Sequence, residues 1–214
     1  MGRKYAANYS YFEKLTPESA YWLGFIQADG NVSSGDKNHA VSIEVHGKDR
    51  YVLERFIKDI SGTYPVKETK GNCVRVRVFS PKMHSDLISY GVLPNKSKLG
   101  SFPKIQDPQL FKHYVRGVFD GDGSIMFKNG TRKRPRVVIS GGEEFCKDLL
   151  TQIQRETGIT TGGSYFYSSI YGTTFEGYNS VKIFYDWLYK DAHFFMKRKH
   201  DRFAEYLSRE NAAS

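Results

Sequence analysis

The sequence predicts an α+β fold written twice, as two pseudo-symmetric αββαββα repeats, and three observations carry that prediction. One motif occurs in two copies, Tyr21-Trp22-Leu23-Gly24-Phe25-Ile26-Gln27-Ala28-Asp29-Gly30 and Tyr114-Val115-Arg116-Gly117-Val118-Phe119-Asp120-Gly121-Asp122-Gly123. Each is an apolar run with a central glycine that ends in a small residue, Asp and Gly. Each copy is followed by the same succession of strand and helix patterns. The copies also stand about half a chain apart, which leaves room for two fused halves of about 100 residues.

The elements follow in order. Thr16-Pro17-Glu18 reads as N-cap, N1 proline and acidic first turn of the first motif helix, and Asp107-Pro108 repeats that start. The glycine of each Asp-Gly is placed to end its helix. Val41-Ser42-Ile43-Glu44-Val45 alternates as a half-buried strand, and Val137-Val138-Ile139 is its shorter counterpart. Helical segments come next, Asp49 to Ile60 and Glu143 to Thr157, each closing at an expected C′ glycine, Gly62 or Gly158. Asn72 to Phe79 then alternates strictly, with Arg75 and Arg77 on one face and valines on the other. Its later equivalent is Ser164 to Tyr167, a turn near Gly172, and a strand from Thr173 to Tyr178. Short helices, Pro81 to Tyr90 and Val181 to Tyr189, close the halves. Lysine clusters follow at Asn95-Lys96-Ser97-Lys98 and Met196-Lys197-Arg198-Lys199. The domain plan is an N-terminal arm (1–15), a first repeat (16–93), a proline-marked linker (94–107), a second repeat (108–208) and a tail (209–214).

Composition narrows the function classes. Lys and Arg total 32 against 23 Asp and Glu, a net charge of +9, which favours a polyanionic partner. Two cysteines, Cys73 and Cys146, allow neither a disulfide framework nor a cysteine-rich zinc site. No apolar stretch approaches the ~18 residues of a bilayer span. The start, Met1-Gly2-Arg3-Lys4-Tyr5, has no apolar segment behind it to form a secretory signal. The expectation is a soluble, intracellular protein.

The paired motifs in this element order resemble the LAGLIDADG homing endonucleases in their single-chain form, across residues 16–208. Leu93-Pro94-Asn95-Lys96-Ser97 is similar to the end of that family's first repeat, and Trp187 through Lys199 to the end of its second. The resemblance implies saddle-shaped antiparallel sheets, paired through two LAGLIDADG-type helices whose C-terminal ends bring both aspartates to one centre. The residues agree with this. Gly24 and Ala28 are four apart, as are Gly117 and Gly121, so each helix carries a small-residue stripe on which backbones can approach closely.

The resemblance further implies a monomeric, site-specific endonuclease of intron homing. It would hydrolyse one phosphodiester in each strand of double-stranded DNA across the minor groove. Asp29 and Asp122 are then the catalytic carboxylates and, with the carbonyls of Ala28 and Gly121, the metal ligands. Mg²⁺ is the expected cofactor, with Mn²⁺ or Ca²⁺ able to substitute for binding. Gln27 and Asp29, two residues apart, fall on opposite sides of a helix, so only one faces the centre. The acid common to both copies is Asp29/Asp122, and a structural role for Asp120, as a cap or surface charge, is favoured over chemistry. Lys96 and Lys197 are the catalytic lysines of the better match, with Lys98 and Lys199 a secondary one. The alternative is that these lysines only contact the DNA backbone.

Basic and polar residues on the expected strands and turns are the candidates for DNA binding: Lys37, Lys67, Lys70, Asn72, Arg75, Arg77, Lys128, Arg132, Lys133, Arg134, Arg136, Tyr165, Tyr167 and Asn179. The two strand sets differ, so a long asymmetric target is expected. The rival readings on this scaffold are an RNA-binding group I intron maturase, with intron RNA as partner, and a catalytically silent DNA-binding protein. An intein-borne nuclease lacks support, because no splicing-type cysteine or terminal His-Asn is present.

Overall fold

The computed structural model describes residues 4–33, 39–94, 102–103, 105–128 and 134–211. The first half runs α1 (Pro17–Asp29), β1 (Gly30–Val32), β2 (Ala40–His46), a 3₁₀ turn (Gly47–Asp49), α2 (Arg50–Asp59), β3 (Lys67–Glu68), β4 (Cys73–Phe79) and α3 (Pro81–Ser89). The second runs α4 (Pro108–Asp122), β5 (Gly123–Lys128), β6 (Arg134–Gly141), α5 (Glu143–Thr157), β7 (Gly163–Tyr167), β8 (Ile170–Glu176), α6 (Tyr178–Tyr189) and α7 (Lys197–Asn211). Each half forms one four-stranded antiparallel sheet, and the strand orders match: β1-β2-β4-β3 and β5-β6-β8-β7. The αββαββα plan therefore holds in both halves, with α7 added at the end.

Capping chemistry starts the motif helices as the sequence predicts. Thr16 accepts from the Ser19 amide and Ser19 returns the bond to the Thr16 amide, a reciprocal capping box, while Asp107 accepts from the Gln109 amide. Both helices end at the expected glycines, which do not take the left-handed conformation. Gly30 and Gly123 are extended, at φ −82° and −78°, and lead straight into β1 and β5. Glycine is needed there for space, since a Cβ would meet Ile26 Cα at 2.7 Å or the Phe119 carbonyl oxygen at 2.5 Å.

Two turns also fall elsewhere. After α2 the left-handed residue is Ser61 (φ 49°) rather than Gly62, whereas Gly158 takes that role after α5 (φ 72°). The β7–β8 turn lies at Ser168-Ser169, not at Gly172, and Gly172 pairs with Tyr165 inside β8. A side chain at 172 would strike Val138 Cγ1 at 2.8 Å and the Tyr167 ring at 3.1 Å, so the glycine opens room for the aromatic neighbour. Beyond Glu176, Gly177 at φ 90° turns the chain into α6, which places Asn179 on a helix instead of the ribbon.

The core is continuous. On β4, Val74, Val76 and Val78 are buried and Arg75 and Arg77 exposed, the alternation read from sequence. Residues assigned to an arm are packed on the first repeat: Phe12 is fully buried, the Asn8 amide donates to the Ile60 carbonyl at 2.7 Å, and the Tyr5 and Tyr64 rings lie 5.2 Å apart. At the other end α7 continues through the position expected to begin a tail, with Phe203 buried. No helix of the described residues is long and apolar enough to cross a membrane.

Candidate active site

The site is built where α1 and α4 cross. Gly24 and Gly117 make that crossing close. A Cβ on Gly24 would collide with the Tyr114 carbonyl and stand 2.9 Å from the Val118 nitrogen. One on Gly117 would collide with the Tyr21 carbonyl and stand 2.7 Å from the Phe25 nitrogen. Further along, Gly121 lies against the Ala28 side chain. All four small residues of the expected stripes thus sit between the two helices.

Two hydrogen bonds related by the pseudo-twofold lock the crossing. Tyr21 Oη donates to Asp120 Oδ2 at 2.9 Å, and Tyr114 Oη donates to Gln27 Oε1 at 2.9 Å. Asp120 is completely buried, so it is no surface charge. Its Oδ2 also accepts from the Met196 amide at 2.7 Å, immediately before α7, while Oδ1 has no partner among the described residues. Burial pushes the Asp120 carboxyl up to about 7, against the opposing pull of the Met196 amide, the Tyr21 hydroxyl, Lys199 and Arg116.

Asp29 and Asp122 end the two helices and are exposed. They converge: a Cβ built on Gly121, the neighbour of Asp122, would stand 3.5 Å from Asp29 Cγ. Beneath them lies Lys199. Its Nζ donates to the carbonyls of Gly121 (3.2 Å), Phe119 (3.5 Å) and Gly123 at the C-terminus of α4. A cation is favoured at that negative end of the helix dipole. Burial, with Arg198 adding, holds the Lys199 ammonium below the ordinary lysine value, and Asp120, Asp29 and Asp122 oppose that shift. A cleft of about 610 Å³ opens beside Asp122, lined by Gln27, Ala28, Val118 and Ser140 among others.

Lys197 lies apart from this centre. It is exposed, its amide donates to Tyr51 Oη at 2.8 Å, and its Nζ sits 5.9 Å from the Tyr51 ring centroid. Arg198 reaches the first repeat through Asp49 at 2.8 Å, so the start of α7 bridges both halves. Lys96 and Lys98 lie outside the described residues.

The donor set offers oxygen only: two carboxylates and main-chain carbonyls, with no cluster of three or more His, Cys, Asp and Glu side chains among the described residues. Such donors suit a hard divalent cation that keeps several waters.

Of the strand candidates, Arg75 and Arg77 project from the exposed face of β4, Lys67 stands on β3, and Lys70 and Asn72 (φ 57°) shape the β3–β4 turn. Arg134 and Arg136 lie on β6, and Tyr165 and Tyr167 on β7. Lys128 ends β5, while Lys37, Arg132 and Lys133 lie outside the described residues.

Sequence reasoning did not single out Tyr21 and Tyr114. Their signal was the tyrosine that opens both motif copies.

This architecture is the LAGLIDADG homing-endonuclease fold in its single-chain, two-repeat form. No family model and no curated protein matches the sequence. Among solved structures, the LAGLIDADG meganuclease I-AabMI bound to uncleaved DNA superposes with a TM-score of 0.66, at 13% identity, over 93% of this chain and 92% of that one. The I-LtrWI LAGLIDADG homing endonuclease bound to target DNA gives 0.65, at 11% identity, over 96% and 92%. I-SmaMI bound to an uncleaved DNA target in the presence of calcium ions gives 0.62, at 14% identity, over 94% and 93%.

Proposed function

We propose that this chain is a site-specific double-strand DNA endonuclease that hydrolyses one phosphodiester in each strand with the aid of a divalent cation. The observation that carries the reading is the meeting of Asp29 and Asp122 at the ends of two crossing helices, with the Lys199 ammonium seated on the α4 carbonyls below. One carboxylate from each half gives one acid per strand of a two-stranded substrate. The net charge of +9 and the exposed Arg75 and Arg77 suit a polyanionic duplex. The fold is shared with DNA-bound endonucleases.

Asp29, Asp122 and the Ala28 carbonyl would hold Mg²⁺, with the Gly121 carbonyl joining them once Lys199 Nζ, which donates to it at 3.2 Å, turns to the phosphate, and Ca²⁺ would bind in its place. When bound, the cation supplies activation of water and neutralisation of charge on the phosphate. The chain's own work is positioning. The Gly24–Gly117 crossing fixes the spacing of the two acids. Lys199, whose ammonium lies on the carbonyls at the end of α4 next to both acids, would polarise the water network or stabilise charge developing on the phosphate, while Lys197 lies against Tyr51. Gln27, in place of a second acid pair, keeps the centre free of one more negative charge.

The test is cleavage of a randomised duplex library by the full-length chain in Mg²⁺, with sequencing of the cut ends. The expected result is double-strand breaks at one long site, abolished by chelator and by Asp29→Asn or Asp122→Asn with folding unchanged. Wild-type-like cutting by either variant overturns the assignment.

A further inference from the structure

The two sheet faces exchanged by the pseudo-twofold carry different chemistry. On the first, Arg75 and Arg77 point outward from β4, opposite Glu44 and Ser42, and Lys67 pairs with Arg75 from the edge strand. The exposed aromatic of that face, Phe79, lies 5.0 Å from the Arg77 guanidinium, which again presents a cation. Arg75 also faces Glu44 at 3.6 Å, with both side chains about half exposed, so this is a surface of exposed donors with one acceptor among them.

On the second face, the core side of β6 takes Val137 and Ile139 and leaves Arg136 and Val138 outward. Register sets Met126 across from Arg136, Tyr165 across from Gly172 and Ile170 across from Tyr167. Met126, Tyr165 and Ile170 are 40%, 50% and 45% exposed. The central arginine is engaged instead of presented: Arg136 is only 20% exposed, pairs with Glu176 at 2.8 Å and donates to Tyr167 Oη at 3.0 Å. Apart from Arg134, exposed at the start of β6, what faces outward in a diagonal band across this sheet, from Met126 on β5 through Val138 and Gly172 to Ile170, is therefore apolar.

A row of exposed apolar side chains calls for an apolar partner. This face is the symmetry counterpart of the Arg75/Arg77 face on a chain of net charge +9, so its partner is the same duplex. In the major groove the one apolar group on a base edge is the thymine C5-methyl. We propose that the second repeat reads its half of the target through thymine methyl groups, while the first repeat reads through hydrogen-bond donors. The inference rests on the endonuclease reading above.

The experiment selects binding sites from random duplexes with the full-length chain in Ca²⁺. The half facing the first repeat is assigned as the one whose base preference is relaxed by Arg77→Ala. Thymine is then replaced by deoxyuridine, which removes only the methyl, in one half at a time. In the second-repeat half each replacement weakens binding about fourfold, the worth of one buried methyl at ~0.8 kcal/mol. In the other half it leaves affinity unchanged. Ile170→Ser should lower the deoxyuridine penalty, a change that a purely structural role would not produce. Sequence-specific sites that are insensitive to methyl removal, or sensitive only in the Arg77 half, overturn the inference and leave the endonuclease reading standing. Enrichment of no sequence overturns both.

Discussion

Tyr21 and Asp120 are joined across the helix pair by a 2.9 Å hydrogen bond whose symmetry mate, Tyr114 to Gln27, uses a neutral acceptor. The two bonds have the same donor and length, and they compare a charged acceptor shared with the Met196 amide against a neutral one. Losing a donor to a buried charged group costs about 1–3 kcal/mol, and to a neutral one about 1 kcal/mol. Tyr21→Phe should therefore destabilise more than Tyr114→Phe in urea unfolding at pH 8, where the Asp120 carboxyl is ionised. Equal costs would mean that Asp120 draws its compensation from Met196 and Lys199 instead.

The helix crossing gives a second prediction. Gly117 meets backbone, which cannot swing aside as a side chain can. Gly117→Ala should destabilise by about 3 kcal/mol or more, and Gly24→Ala comparably, because the whole helix must shift. A Cβ at Gly142 would meet no atom within 4 Å, so Gly142→Ala should stay within about 1 kcal/mol of wild type. Thermal denaturation of the three variants checks the ranking.

These contrasts show where sequence reading works. Caps, 3.6-residue periodicity and strict alternation are local, and they placed α1, α4, α5 and β4 within a residue or two. β1 carries only Gly30-Asn31-Val32, too short for any period to register. The Ser168-Ser169 turn and the strand position of Gly172 depend on Val138 and Tyr167 from other strands. The acids at the centre were legible because their motif is repeated. The lysine that lies on the α4 carbonyls, Lys199, was legible only as the secondary match, because its placement depends on the frame of α7, which begins at Lys197 after an amide held by Asp120.

That frame yields the third prediction. Lys197 and Lys199 are two residues apart and so diverge around the helix. Lys199 touches the carbonyls at the end of α4, whereas Lys197 rests near Tyr51. On the proposed function, Lys199→Met should lower the single-turnover cleavage rate about 10²–10³-fold, the usual loss of one transition-state donor. Lys197→Met should leave that rate near wild type. The reverse order would return the catalytic role to Lys197.

The last prediction concerns pH and sets two buried groups against each other. Burial raises Asp120 from 3.8 to about 7, so the folded state holds a proton that the unfolded state releases, and this contribution to stability is lost as pH rises between those values. His113 is shifted the other way: burial, then Arg116 and Lys112, lower it from 6.5 to about 4. Its contribution is lost as pH falls through that window, because the unfolded chain takes up a proton that the folded one refuses. In the wild type the two slopes oppose each other. Asp120→Asn keeps an oxygen for Tyr21 and Met196 and leaves the His113 slope alone, so its stability should fall on acidification from pH 6.5 to 4. His113→Gln leaves the Asp120 slope, and its stability should fall as pH rises from 4 to 7. Urea midpoints for both variants across pH 4 to 7 measure the difference directly, since every other titrating group is common to the pair and cancels. Parallel profiles would show that neither shift operates in the folded protein.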